Sequence, residues 1–249
     1  MHGWDALWLV FAGLGGGLCG SVAGLASVVS YPALLAVGLP PVAANVTNTV
    51  ALVFSSVGSV SGSRPELAGQ RARARRLGVL AVLGGALGST LLLHTPPGQF
   101  ARVVPVLIGV ASIAVLLPRR SLAAHHGSGP PTHGLSLAVA AIAVYGGYFG
   151  AAAGVMLLAV LLYMTGDTLP RSNALKNVVL GLANAVAAVI YAFFGPVHWL
   201  AVLPLAAGFL IGGRIGPVIV RNVPSDPLRF VIALGGIGLA VHLGLDAYR

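Results

Sequence analysis

Apolar residues run along this chain in long blocks separated by short polar gaps. A block of about 17 residues or more can cross a bilayer as a helix. Such blocks fall at 45–62, 77–94, 101–117, 174–194, 199–220 and 228–245. Two others, 5–37 and 135–164, are too long to be single spans. Each would reach roughly 45–50 Å as one helix, against an apolar thickness of about 30 Å. Glycines interrupt both: Gly13, Gly15, Gly16, Gly17, Gly20 and Gly24 in the first, and Gly146, Gly147, Gly150 and Gly154 in the second. That pattern predicts broken or re-entrant helices. A proline turn follows each one (Gly38-Leu39-Pro40-Pro41 and Thr168-Leu169-Pro170), and then a full helix.

The likeness of the two long blocks extends along the chain. A shift of about 128 residues brings Pro41 onto Pro170, Asn48 onto Asn177, Ser55 onto Asn184, Gly84 onto Gly212 and Pro96 onto Pro224. The expected architecture is an all-α polytopic membrane protein forming one transmembrane domain over 1–249. It would hold repeat 1 at 5–117, a cytoplasmic linker at 118–134 and repeat 2 at 135–245. Each repeat contains a glycine-rich broken or re-entrant helix and three full transmembrane helices, and such duplication is a transporter-like feature.

Composition supports the membrane assignment. Hydrophobic residues make up 57% of the chain and charged ones only 8%, with a mean hydropathy of +0.94. A soluble domain needs roughly a quarter charged residues to cover its surface. The formal charge of +9 forms no basic soluble domain, so it reads as cationic loops at a cytoplasmic face rather than a nucleic-acid surface. The single cysteine, Cys19, excludes an intrachain disulfide and a cysteine metal cluster. The N-terminal run lacks a basic leader and is too long for a cleavable signal.

The cations also test orientation. If both long blocks simply span, eight of the 14 Lys and Arg lie inside and six outside. If each block enters and returns on one side, twelve lie inside, leaving only Arg102 and Arg249 outside. The positive-inside rule prefers the second case. Equivalent loops also carry opposite charge bias: Arg71, Arg73, Arg75 and Arg76 answer a bare Gly195-Pro196-Val197. Inverted repeats are therefore expected, with eight conventional spans in two parallel sets of four as the alternative.

Polar side chains inside a bilayer are costly and usually have a role. Asn45, Thr47, Asn48 and Thr49 cluster after the first proline turn, with Ser55, Ser56 and Ser59 further on. Ser172, Asn173, Lys176, Asn177 and Asn184 answer them in the second half. Both sets begin at helix N-termini, which favour anions. Asn45 and Asn173 read equally well as helix caps. Lys176 would supply charge, while Thr47, Asn48, Asn177 and Asn184 would supply hydrogen bonds. Ser27, Tyr31 and Tyr148, flanking the broken segments, complete the substrate-binding candidates; Ser30 and Tyr145 lie beside them.

No acidic residue falls in the middle of a predicted span, which argues against a carboxylate proton relay and an acidic cation site. No histidine pair has metal-ligand spacing on one helix face, and HExxH, GxSxG and Gly-Lys-Ser/Thr motifs are missing. The expectation is a non-enzyme without cofactor or metal, whose partners are the bilayer and a small anionic substrate. An alternative is a membrane interaction or assembly subunit that transports nothing.

Two stretches carry a family resemblance. One is Gly24-Leu25-Ala26-Ser27-Val28-Val29-Ser30-Tyr31-Pro32 with Gly38-Leu39-Pro40-Pro41 and Ala44-Asn45-Val46-Thr47-Asn48-Thr49. The other is Tyr145-Gly146-Gly147-Tyr148-Phe149-Gly150-Ala151 with Asn173-Ala174-Leu175-Lys176-Asn177. With the glycine-dense span from Trp199 to Gly216, this order resembles the sulfite exporter TauE/SafE family, over about Gly13 to Leu243. Val46-Thr47-Asn48 stands where the family carries a Gly-Thr-Ser-like motif, so substrate choice is in question there. The resemblance implies secondary transport of sulfite, thiosulfate or organosulfonates, usually outward across a prokaryotic inner membrane.

Overall fold

The computed structural model describes residues 3–116 and 132–222, and beyond them only positions 234, 237, 238, 241 and 245. Linker residues 118–131 and nearly all of the expected span at 228–245 lie outside the described residues. The described chain is helical throughout: α1 (Gly3–Ala23), α2 (Ala26–Ala36), α3 (Pro41–Gly62), α4 (Arg64–Leu67), α5 (Arg71–His94), α6 (Pro97–Leu116), α7 (Thr132–Tyr148), α8 (Ala153–Thr165), α9 (Leu169–Phe194) and α10 (Trp199–Asn222). Five of these, α1, α3, α5, α9 and α10, are long and apolar enough to cross a membrane.

Both over-long blocks are broken, as their length requires. The first parts at Gly24, whose φ of +80° ends α1 before α2 turns back. The second parts over Phe149–Ala152, where Gly150 and Ala152 both take left-handed conformations. The remaining glycines of the first block stay helical, which corrects the expectation of a glycine-rich break. Proline sets the starts of the next helices. Pro40 is extended ahead of Pro41 at the head of α3, and Pro170 stands in the first turn of α9.

The helical glycines serve packing. Apolar side chains gain little by meeting each other in lipid, so transmembrane helices associate where small residues let backbones approach. Gly13 of α1 lies against Leu205 and Gly208 of α10, Gly17 against Phe209 and Gly213, and Ser21 against Gly216. Residue numbers rise together along this seam, so α1 and α10 run in the same sense. The same holds for α5 and α7, where Gly84 faces Ala140 and Ala143, and Gly88 faces Val144 and Tyr148. On the opposite side large apolar residues such as Trp8, Phe11, Leu83, Phe193 and Leu203 point outward, where acyl chains would cover them.

Ionic contacts gather at one end of the bundle. Arg221 Nε donates to Glu66 Oε1 (2.5 Å), and its Nη2 donates to Glu66 Oε2 (2.7 Å) and the Gly62 carbonyl (2.8 Å). Arg73 pairs with Asp167. Gln70 Nε2 donates to the Arg171 carbonyl (3.0 Å), and Arg171 Nη1 to the Ala68 carbonyl (3.2 Å). These contacts put the 62–76 loop, the 165–171 turn and the end of α10 on one face. Eight simple spans would place Arg171 and Arg221 opposite Arg71–Arg76, so that arrangement is overturned.

Two outcomes are expected. Hydrogen bonding to Arg221 holds the Glu66 carboxyl below the usual carboxylate range. A depressed folded-state pKa adds stability above the unfolded value, and that stability is lost as pH falls through the folded value. Wild-type melting temperature in detergent should therefore fall on acidification below about pH 4.5, and Glu66→Gln should blunt that fall. Separately, Gly24→Ala should cost well over the ~1–2 kcal/mol of a left-handed alanine, because its Cβ would strike the Gly154 backbone. Gly38→Ala, at φ +87° with open space around it, should cost only that strain. Equal loss of melting temperature in the two variants would contradict the packed break.

Candidate functional site

A break inside a membrane leaves unpaired carbonyls at the end of the first helix and unpaired N–H groups at the start of the second, and lipid can satisfy neither. Here the carbonyls are capped by side chains. Asn173 Nδ2 on α9 donates to the Ser21 carbonyl of α1 (2.8 Å), and Lys176 Nζ donates to Gly20 O (3.0 Å) and Ser21 O (3.4 Å). In the other break, Asn45 Nδ2 on α3 donates to the Tyr148 carbonyl (3.0 Å) and Tyr191 Oη to the Gly147 carbonyl (2.5 Å). Asn45 and Asn173 are caps, as one reading of the sequence had it. They cap a helix from the opposite half of the chain rather than their own. Lys176 adds a cation at a helix C-terminus, where the dipole favours it.

With the carbonyl ends covered, the N-terminal ends of α2 and α8 border a cavity of about 60 Å³. Its walls come from Ser21 of α1, Ser27 of α2, Thr49 and Ser59 of α3, Gly154 of α8, and Lys176 and Asn177 of α9. A water needs roughly 10–15 Å³ of such space, so the cavity takes about four waters or one compact oxyanion. The lining contains no carboxylate, and Lys176 is its charged member. Lys176 is 1% exposed and Asn177 6%. Asn177 lines the cavity, and its Nδ2 is buried without a hydrogen-bond partner in the fold.

Four of the eight residues singled out by sequence meet at this cavity: Ser27, Lys176, Asn177 and half-buried Asn184. The other four stand behind it. Asn48 Nδ2 donates to Ser27 Oγ (3.1 Å) while its Oδ1 accepts from Ser30 Oγ (2.6 Å), pinning α2 to α3. Thr47 Oγ1 accepts from the His198 amide (3.0 Å), tying α3 to the start of α10. Tyr31 is buried with its ring edge-on to Phe149 (5.5 Å). Tyr148 offers its carbonyl to Asn45 and its ring to Phe100 (5.9 Å).

Sequence reasoning passed over Ser21, Thr49, Ser56 and Ser59 as site residues. Thr49, Ser56 and Ser59 had a usable signal: with Leu52 they lie three and four residues apart and so share one helix face. Ser21 had none, since its part in the capping is played by its backbone. Among the described residues no three His, Cys, Asp or Glu side chains converge to hold a metal ion.

Comparison with known proteins agrees with this architecture. The family model described as "Sulfite exporter TauE/SafE" matches residues 9–243. The chain is 24% identical over 232 residues to "Probable membrane transporter protein ORF9" of a Sinorhizobium species, covering 92% of this chain and 88% of that one. It is 22% identical over 255 residues to "Probable membrane transporter protein YfcA" of Escherichia coli K12, covering 96% and 90%. It is also 24% identical over 254 residues to a "Probable membrane transporter protein" of Haemophilus influenzae, covering 98% and 96%. No solved structure matches significantly. A helical bundle with two broken helices around a buried cationic cavity, matched by the family model over nearly its whole length, belongs to the sulfite exporter TauE/SafE family of membrane transporters.

Proposed function

We propose that this protein moves small sulfur oxyanions such as sulfite and thiosulfate outward across the cytoplasmic membrane of a bacterium. The observation that carries the reading is Lys176 beside the unpartnered Asn177 amide, in a carboxylate-free cavity bordered by two helix N-termini. Each element favours negative charge. The cavity's volume suits an anion of four or five heavy atoms; an organosulfonate, also within the class the family resemblance implies, would require the walls to part. An inside-negative potential assists anion exit by about 2.3 kcal/mol per charge per 100 mV. With no carboxylate in the lining, the reading is uniport, or coupling through the anion itself rather than a carboxylate-borne proton.

Inverted repeats supply the means of alternating access. The helix senses support them: α1 runs with α10 and α5 with α7, while α3 and α5 are joined by the short 63–70 connection at the ionic face. The repeats exchange partners accordingly, the first helix of each half lying on a late helix of the other. A register of 128 residues, one less than the shift that sets Asn48 on Asn177 and Ser55 on Asn184, instead sets Asn45 on Asn173, Thr49 on Asn177, Leu52 on Leu180 and Ser56 on Asn184. It pairs the two reciprocal caps and supports one duplicated unit, with Lys176 falling opposite Asn48.

A second reading has one observation in its favour: Lys176 is bonded to α1 carbonyls, as a purely structural staple would be. One measurement separates the two. A ligand that binds only the folded state raises its melting temperature by mass action. Purified protein should be stabilised by sulfite or thiosulfate and not by chloride. Asn177→Ala removes a donor with no partner in the fold, so it should melt as wild type does without anion. Its anion affinity should fall about tenfold to a hundredfold, the value of a hydrogen bond to a charged group. No stabilisation by any sulfur anion would favour the staple.

A further inference from the structure

The cavity's two sides differ in hydrogen-bonding sense. On one side stand Lys176 Nζ, which can only donate, and the Asn177 amide, whose Nδ2 has no partner in the fold, with the N-terminal ends of α2 and α8 bordering the space beside them. Ser27 joins them because of Asn48. Its Oγ already accepts from Asn48 Nδ2 (3.1 Å), so its proton is left for an acceptor in the cavity. Asn48 also meets Ser30 Oγ (2.6 Å), which lies 2.9 Å from the Ala26 carbonyl as well, so Asn48 is a positioning residue that ties both α2 hydroxyls to α3.

The α3 side is built the other way. Thr49 Oγ1 lies 2.9 Å from the Asn45 carbonyl, Ser59 Oγ 2.8 Å from the Ser55 carbonyl and Ser56 Oγ 3.4 Å from the Leu52 carbonyl. A carbonyl can only accept, so each hydroxyl donates its proton back into its own helix. What these three residues present to the cavity is lone pairs. Ser55, the fourth α3 hydroxyl in the lining, can turn its proton either way, but a fully ionised oxyanion carries only lone pairs and would find no match at Thr49, Ser56 and Ser59. An oxyanion that keeps one proton meets both sides: its O⁻ oxygens face the donors and its O–H faces α3. Its single charge also matches the single cation of the lining.

We infer that the site binds its anion in the singly charged, hydroxyl-bearing form, hydrogen sulfite rather than sulfite dianion, selected by the acceptor wall of Thr49, Ser56 and Ser59. The inference rests on the anion-transport reading above and narrows it to sulfite, since thiosulfate stays a dianion near neutral pH. A proton would then cross with each anion, carried by the substrate and by no side chain. Lys176 is the titratable residue among those lining the cavity. Cys19 on α1, Tyr31 on α2 and Tyr145 on α7 sit on the surrounding helices outside the lining, and α3 and α8 contribute no titratable side chain to it.

The test is calorimetric titration of the purified protein with sulfite and with chlorate, a pyramidal monoanion of similar size that carries no proton. Each is titrated on the acid and alkaline sides of sulfite's second ionisation. Sulfite affinity should fall about tenfold for each pH unit above that ionisation, as proton linkage requires, while chlorate affinity stays level. In the double variant Thr49→Val, Ser59→Ala, sulfite affinity should drop about tenfold or more on the acid side. Chlorate binding, which also reports that the variant is folded, should be kept. Sulfite affinity independent of pH, or equal loss of sulfite and chlorate in the variant, would overturn the selection of a protonated anion and leave the anion site standing. Binding of neither anion by wild type would bring down both.

Discussion

Everything in this protein depends on how it satisfies two interruptions of helical backbone within a membrane. Hydrocarbon offers no hydrogen bonds, so each carbonyl freed at Gly24 or at Phe149–Ala152 must find a donor from the protein. Asn45, Asn173, Lys176 and Tyr191 supply those donors. Because three of these four caps come from helices of the opposite half, closing one break requires the other half to be in place. The same contacts cover the negative ends of α1 and α7 and leave the positive ends of α2 and α8 toward the cavity. Stability and the cavity's positive field thus have one source.

That dual use explains why the polar residues of α3 and α9 resist sorting into structural and functional sets. Lys176 is a cap by its hydrogen bonds and a cavity wall by its position. Asn48 is not among the residues lining the cavity, yet it ties Ser27, which is, to α3. Ala152 holds a left-handed backbone with its side chain buried, a conformation non-glycine residues adopt at a cost. Such strain is tolerated where surrounding structure enforces it, and functional sites are where it collects.

Much of the fold was legible from block lengths alone. The excess length of 5–37 and 135–164 announced the two breaks, and Pro41 and Pro170 marked the helices that follow. Charge counting correctly set the loops bearing Arg73, Arg171 and Arg221 on one face. The position of the first break was not legible. Gly13, Gly17 and Gly24 look alike in sequence, but the first two are governed by the approach of α10, nearly two hundred residues away. The site was half legible for a related reason. Helical spacing tells which residues share a face, but not which neighbour that face meets. Asn48 and Thr49 are adjacent in the chain, yet one turns to Ser27 and Ser30 and the other to the cavity.

The seam between α1 and α10 has a consequence for biosynthesis. Gly13 of the first helix meets Leu205, so α1 leaves the ribosome long before its partner exists. At roughly 5–20 residues per second, its glycine-lined face waits some ten to forty seconds in the bilayer without the surface that will cover it. Insertion and folding are therefore separate events in this chain. Its first half must sit in the membrane before the helix that completes its packing is made.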